Sequence, residues 1–140
     1  MKPNEILVRL GVRRGAVLHS YAFSEIDHGK FFVVMGVDGD EVAGFFFINS
    51  RINPVLERKP EQFAMQYLLR KRDYSFLHHD SFVCASDIHT KSISDFAGEF
   101  ERNETELVDN LKDEHLQEIL DSVRGSRLFS KNIKRRFFYD

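Results

Sequence analysis

The residues best placed to do chemistry bracket one Phe-rich stretch, HGKFFVVMGVDGDEVAGFFFINS, which runs from His28 to Ser50. His28 and Lys30 precede its first apolar run, residues 31–37, and Asn49, Ser50 and Arg51 follow its second, residues 42–48. A lysine can neutralise a phosphate, and histidine is the side chain that gives and takes protons near neutral pH. Between the runs stands Asp38-Gly39-Asp40, whose Asp-Gly step favours a tight antiparallel hairpin. In such a pair the start of one strand lies beside the end of the next, so the two polar sets meet at one edge of the sheet. That edge is the candidate site.

Taken singly, each of these residues has a plainer reading. A strand-end lysine is commonly solvated, a loop histidine is commonly plain surface, and a strand-end hydroxyl such as Ser50 commonly caps the following turn. Their convergence on one edge is what singles them out. His78-His79-Asp80 invites a metal reading, but adjacent residues on a strand point to opposite faces and no fourth ligand is spaced for tetrahedral zinc, so neither metal nor cofactor is expected. The one cysteine, Cys84, lies in the apolar run Phe82-Val83-Cys84-Ala85 and reads as a small buried side chain.

The chain has 140 residues, 42% hydrophobic and 13% aromatic, which is the size and core content of one domain over residues 1–140. No apolar run is long enough to span a bilayer, and MKPNEILVRLGVRR lacks the order of a secretory signal, so a cytoplasmic protein with no membrane contact is expected. A net charge of -2 gives no overall pull towards nucleic acid. That average hides a split. Residues 99–121 carry nine acids against Arg102 and Lys112, whereas residues 122–136 carry six bases and no acid. With Phe129, Phe137, Phe138 and Tyr139 interleaved, the tail 126–140 either holds phosphates and stacks on bases or packs its aromatics on the sheet or a second subunit. On the first of these readings, deleting it lowers RNA affinity more than stability.

The elements that must position the site are mostly strands. Residues 1–14 read as an appendage, with Asn4 capping a short helix from Glu5 to Arg13. Residues 15–23 alternate imperfectly as a strand, and Pro54 breaks the ladder after Ser50. Residues 60–72 read either as a helix started by Pro60 or, preferred here, as a strand from Met65 to Lys71. Residues 81–85 form a further strand, and residues 87–91 an edge strand or a turn. Five to six short antiparallel strands over residues 15–92 are the pattern of a small barrel. Over residues 112–125, Leu116, Ile119, Leu120 and Val123 stand at i, i+3, i+4 and i+7, the spacing of a C-terminal amphipathic helix, with Gly125 as its stop. The expected class is mainly β with α.

Gly15-Ala16-Val17, then Gly29-Lys30 leading into Val33-Val34-Met35, then Phe47-Ile48-Asn49-Ser50, then Asp80-Ser81-Phe82-Val83 running into Ile88-His89-Thr90, resemble the PemK/Kid/MazF toxins in their order. Leu111-Lys112-Asp113-Glu114-His115-Leu116 is similar to that family's closing helix start, and the likeness covers about residues 15–125. The resemblance implies an SH3-like or plug barrel, a homodimer, and metal-independent cleavage of single-stranded RNA, with a small antitoxin protein covering the site. It implies attack of a 2'-hydroxyl on the adjacent phosphate, leaving a 2',3'-cyclic phosphate and a free 5'-hydroxyl. Such a step needs a base, an acid and a cation.

Carried over residue by residue, the likeness implies Lys30, Ser50 and Asp87 for catalysis, with Asn49 and His89 at RNA-contact positions; His28, as the group that titrates near neutral pH, and Arg51 join them from the hairpin edge itself. Lys30-Phe31 stands where the family has arginine and proline, and a point charge replaces a bidentate fork. Ser50 replaces a threonine and can donate to phosphate in the same way. Ser86 occupies the position of an aspartate some members use, with the acid displaced to Asp87, and one residue of displacement on a strand turns a side chain to the other face. His89 replaces an arginine. These departures keep two further readings in view: a barrel of the same ancestry that binds RNA or a protein without cutting, and an unrelated all-β interaction domain whose Phe-rich hairpin is only core.

Overall fold

The computed structural model describes residues 3–22 and 29–140, and His28 lies outside the described residues. The order of elements is α1 (Pro3–Arg9), β1 (Ala16–Ser20), β2 (Lys30–Asp38), β3 (Val42–Asn49), α2 (Pro60–Phe63), β4 (Gln66–Leu69), β5 (Ser81–Cys84), β6 (His89–Ser92), α3 (Ile93–Glu101), β7 (Thr105–Asn110), α4 (Asp113–Gly125) and α5 (Lys131–Phe137). Short 3-10 turns at Pro54–Arg58 and Lys71–Asp73 complete it. The described strands form one seven-stranded sheet in the order β4-β5-β3-β2-β1-β7, with β6 as an additional partner of β3. Every pairing is antiparallel. The sheet does not close on itself, so the fold is mainly β, an open sheet with five α-helices, where a closed barrel of five to six strands was expected. No described helix is long and apolar enough to cross a membrane.

The central hairpin forms as its composition requires. Asp38 pairs with Val42, and the register runs through Val33↔Phe46 to Phe31↔Ile48, slipping once between Val34 and Gly36. Both runs are nearly all apolar because the sheet is buried on both faces. One layer holds Val33, Met35, Phe46 and Ile48 with Ile119, Leu120 and Val123 of α4 and with Phe129, Phe137 and Phe138. The other holds Phe32, Val34, Ala43 and Phe45 with Leu7, Val12, Ile93 and Phe96. The same two-sided burial explains the imperfect alternation of β1, whose Val17 enters the first layer while Ala16 and Leu18 enter the second.

Three expectations change. The N-terminal segment is no appendage, because Leu7 and Val12 are core residues and α1 packs on α3. The preferred strand reading of residues 65–71 is half right: Pro60 starts a single helical turn, and β4 follows it. The basic tail is structural. After α4, Ser130 caps α5 by accepting from the Ile133 amide, and Phe137 and Phe138 are fully buried. Phe137 lies across Gly36 and Gly44, which face each other in the hairpin register. A Cβ on Gly36 would stand 2.2 Å from the Phe137 carbonyl oxygen, and one on Gly44 would stand 2.7 Å from its ring, so glycine here marks a close approach. Arg136 pairs with Asp38 at 2.7 Å and Arg124 donates to the Phe138 carbonyl, so part of the basic charge is spent on docking. Deletion of residues 126–140 therefore removes core, and the expectation that it spares stability is withdrawn.

Candidate functional site

Strand pairing brings the hairpin's polar ends together. Because Phe31 pairs with Ile48, Lys30 stands opposite Asn49, and its ammonium donates to Asn49 Oδ1. Ser50 lies one residue further on. Lys30, Asn49 and Ser50 together wall a cleft of about 300 Å³ whose floor is Phe31, Ile48 and Leu77. Among the described residues the remaining polar lining consists of His19, His78, His79 and Ser81, with no carboxylate. A second, shallower cleft of about 450 Å³ shares Lys30, Asn49 and Ser50 and continues to Arg51, Asn53 and Pro54.

Each wall has a local cause. His19 reaches the cleft because β1 pairs with β2 in the register His19↔Phe31 and Ser20↔Lys30. Its ring packs against Phe31 at 4.6 Å and edge-on to Tyr21 at 4.7 Å. Gly29 makes room for it: with φ of 79°, a Cβ there would stand 2.4 Å from His19 Cε1. The opposite wall comes from the loop between β4 and β5, where Leu77 is buried and His78 and His79 are exposed. Ser81 Oγ donates to the His79 carbonyl at 2.9 Å, and Lys71 N donates to Asp80 Oδ1 at 2.8 Å, fixing that loop to the sheet. Phe76 bridges from Phe31 to Tyr74, with centroids 5.1 and 5.7 Å apart, which ties the cleft floor to the same loop.

Lys30 is half-buried and lies over the Phe47 ring at 5.3 Å. Burial pushes its pKa below the ordinary lysine value, and the nearby Cys84 thiol pulls the other way. His89 is an exposed residue with one face of its ring against Phe47, at 4.5 Å. Desolvation on that face lowers its pKa, Asp87 raises it and Lys30 lowers it, so both charged groups lie within electrostatic reach of His89.

The sequence-derived set thus divides. Lys30, Asn49 and Ser50 share one cleft, and Arg51 lines its extension. His89 stands beside Phe47 on the neighbouring strand face, and Asp87 is exposed beside it, lining neither cleft. The direct partner of Lys30 is Asn49 and not Ser50, as their register demands. His19 is a site residue the sequence reading missed, and His78 and His79 enter as cleft walls after being weighed only as metal ligands. Among the described residues no group of three His, Cys, Asp or Glu side chains is arranged to hold a metal ion. Compared with protein-family models the chain matches none, and no curated protein matches it.

Proposed function

We propose that the cleft binds the sugar-phosphate backbone of single-stranded RNA and cleaves it without a metal, as the resemblance to the PemK/MazF toxins implies. One observation carries this reading: among the described residues the lining gathers an ammonium, three imidazoles, a carboxamide and two hydroxyls and no carboxylate, a composition that suits a phosphodiester. The apolar floor of Phe31, Ile48 and Leu77 suits a ribose or base edge. In this reading Lys30 neutralises charge developing on phosphorus, and its bond to Asn49 Oδ1 leaves the Asn49 NH2 group to donate to a phosphate oxygen. Ser50 donates a second hydrogen bond. Two of His19, His78 and His79 take the proton of the 2'-hydroxyl and return one to the 5'-oxygen, filling the role that displaced Asp87 does not. By the same resemblance, two copies associate and a small antitoxin covers the cleft.

The test is incubation of the purified chain with a long single-stranded RNA in EDTA. Reproducible cuts ending in 2',3'-cyclic phosphate and 5'-hydroxyl, lost in Lys30→Ala, support the reading. Binding of a labelled oligonucleotide with no cleavage by the unaltered chain favours the second reading, a barrel that holds RNA without cutting it. That alternative rests on the position of Asp87 outside both clefts. Absence of both binding and cleavage overturns the proposal.

A further inference from the structure

Beyond the cleft, the same end of the sheet carries a cationic surface that the site as described does not use. β4 ends at Leu69, which pairs with Ser81 of β5, and Ser81 lines the cleft. The next three residues, Arg70, Lys71 and Arg72, are all exposed; they line neither cleft, but the Lys71 N–H bonds Asp80, the residue between the lining residues His79 and Ser81. Two acids share this loop, and neither is ion-paired with the triplet's side chains. Asp80 accepts the Lys71 backbone N–H at 2.8 Å, and Asp73 faces Lys112 Nζ at 3.6 Å. Among the described residues none of the three cations makes a salt bridge. By contrast, Arg136 of α5 is paired with Asp38, and Arg127 between α4 and α5 with Glu61. On the other side of the cleft, Lys30, Asn49 and Ser50 lead into the extension lined by Arg51.

We infer that Arg70, Lys71 and Arg72 form a backbone-binding rim for single-stranded RNA, so that the strand crosses the sheet end from Arg51 through the cleft to this triplet. The inference rests on the proposed function and deepens it: the substrate is an extended strand longer than the cleft, held by phosphates outside it. Three long, solvent-exposed cations that pair with neither local acid are suited to phosphates and carry no base specificity. They position the strand and take no part in proton transfer.

The experiment measures binding of a fluorescein-labelled 12-nucleotide RNA by anisotropy between 50 and 300 mM salt, alongside cleavage at saturating RNA. The chain with Arg70→Gln, Lys71→Gln and Arg72→Gln is compared with the unaltered chain. Neutralising three phosphate contacts to a single strand lowers the slope of log K against log salt by about 2 and affinity at 0.1 M salt by about a hundred-fold. The cleavage rate at saturation is expected to change less than about three-fold, because the rim is lost from binding and not from the chemistry. The double variant Arg70→Lys and Arg72→Lys keeps the charge and is expected to keep the slope. Lys131→Gln with Arg135→Gln on α5, a loss of two exposed charges away from the cleft, is expected to leave it unchanged. An unaltered slope in the triple variant, while the unaltered chain binds and cleaves, overturns the rim and leaves the cleft assignment standing. Failure of the unaltered chain to bind any RNA overturns both.

Discussion

Phe137 and the glycine pair beneath it offer the sharpest test of the fold. The ring is fully buried, and truncating a buried phenylalanine to alanine costs about 3–5 kcal/mol when its surroundings cannot collapse into the space. With 140 residues and about 2.1 cal/mol/K of unfolding entropy per residue, Phe137→Ala lowers Tm by roughly 10–17 °C. Gly44→Ala tests the geometry more finely. Its methyl would meet the Phe137 ring at 2.7 Å, and overpacking of that kind costs about 1–3 kcal/mol. Once Phe137 is truncated the obstruction is gone, and alanine then regains the roughly 0.5–1 kcal/mol by which glycine weakens a strand. Gly44→Ala is therefore destabilising in the unaltered chain and neutral or stabilising beside Phe137→Ala, with a coupling of about 2–3 kcal/mol. Urea denaturation of the four proteins, followed by far-UV circular dichroism and differential scanning calorimetry, measures this directly. Equal effects of Gly44→Ala in both backgrounds would refute the docking of Phe137 on the hairpin.

Further outcomes follow from the site and from a buried polar cluster. Lys30→Ala lowers cleavage by about 10²–10³-fold while leaving Tm unchanged or higher, because a half-buried ammonium opposes folding; a Tm drop with activity retained contradicts the assignment. His89 has a folded pKa below its ordinary 6.5, so the neutral form is favoured on folding. Its contribution is full above pH 6.5 and is lost as pH falls towards the lowered value. His89→Gln should flatten the decline of Tm between about pH 7.5 and 5, and an identical decline argues against the packed ring. Glu99 is buried between Lys91 and Thr105, whose hydroxyl lies 3.1 Å from Glu99 Oε2 and 2.7 Å from Ser20 Oγ. Lys91→Met strands that carboxylate and costs about 3 kcal/mol, whereas Lys91→Met with Glu99→Leu costs less; equal losses by urea denaturation would show that the pair is not coupled.

The hairpin and α4 were legible because each repeats one signal along its length. Two apolar runs around Asp38-Gly39-Asp40 could only pair locally, and Leu116, Ile119, Leu120 and Val123 keep one helical face. β7 escaped notice because it is an edge strand against β1, where Thr105 is its one buried residue and acids at 106 and 109 resemble plain surface. In α3 the signal was present, with Ser92 as cap and Ile93, Phe96 and Ala97 buried at helical spacing, but it was hidden among the acids. For the tail, the reading in which Phe129, Phe137 and Phe138 pack on the sheet is the one the structure shows, and only the expectation that the six bases make its deletion a matter of RNA affinity more than stability fails. At the site, Lys30 and Asn49 were readable from the hairpin alone. His19 was not, since nothing in its neighbourhood states which residue of β2 it will face, and Leu77, His78 and His79 arrive through a loop whose path depends on β4 pairing with β5.

One edge of β3 is shared by two strands, β6 along Val42–Phe45 and β5 at Ile48 and Asn49. The fork has a consequence for local stability. The β4–β5 ribbon, with the loop that carries His78, His79 and the Arg70–Arg72 triplet, meets β3 in two registered residue pairs and is otherwise held by side-chain packing of Leu69, Tyr74, Leu77 and Val83, whereas the β2–β3 hairpin is paired along its length. With fewer ladder bonds to β3, the amides of that ribbon should exchange with deuterium ahead of those in β2 and β3. The wall bearing His78 and His79 is thus joined to β3 through the shorter ladder, and the wall bearing Lys30 and Asn49 belongs to the longer one.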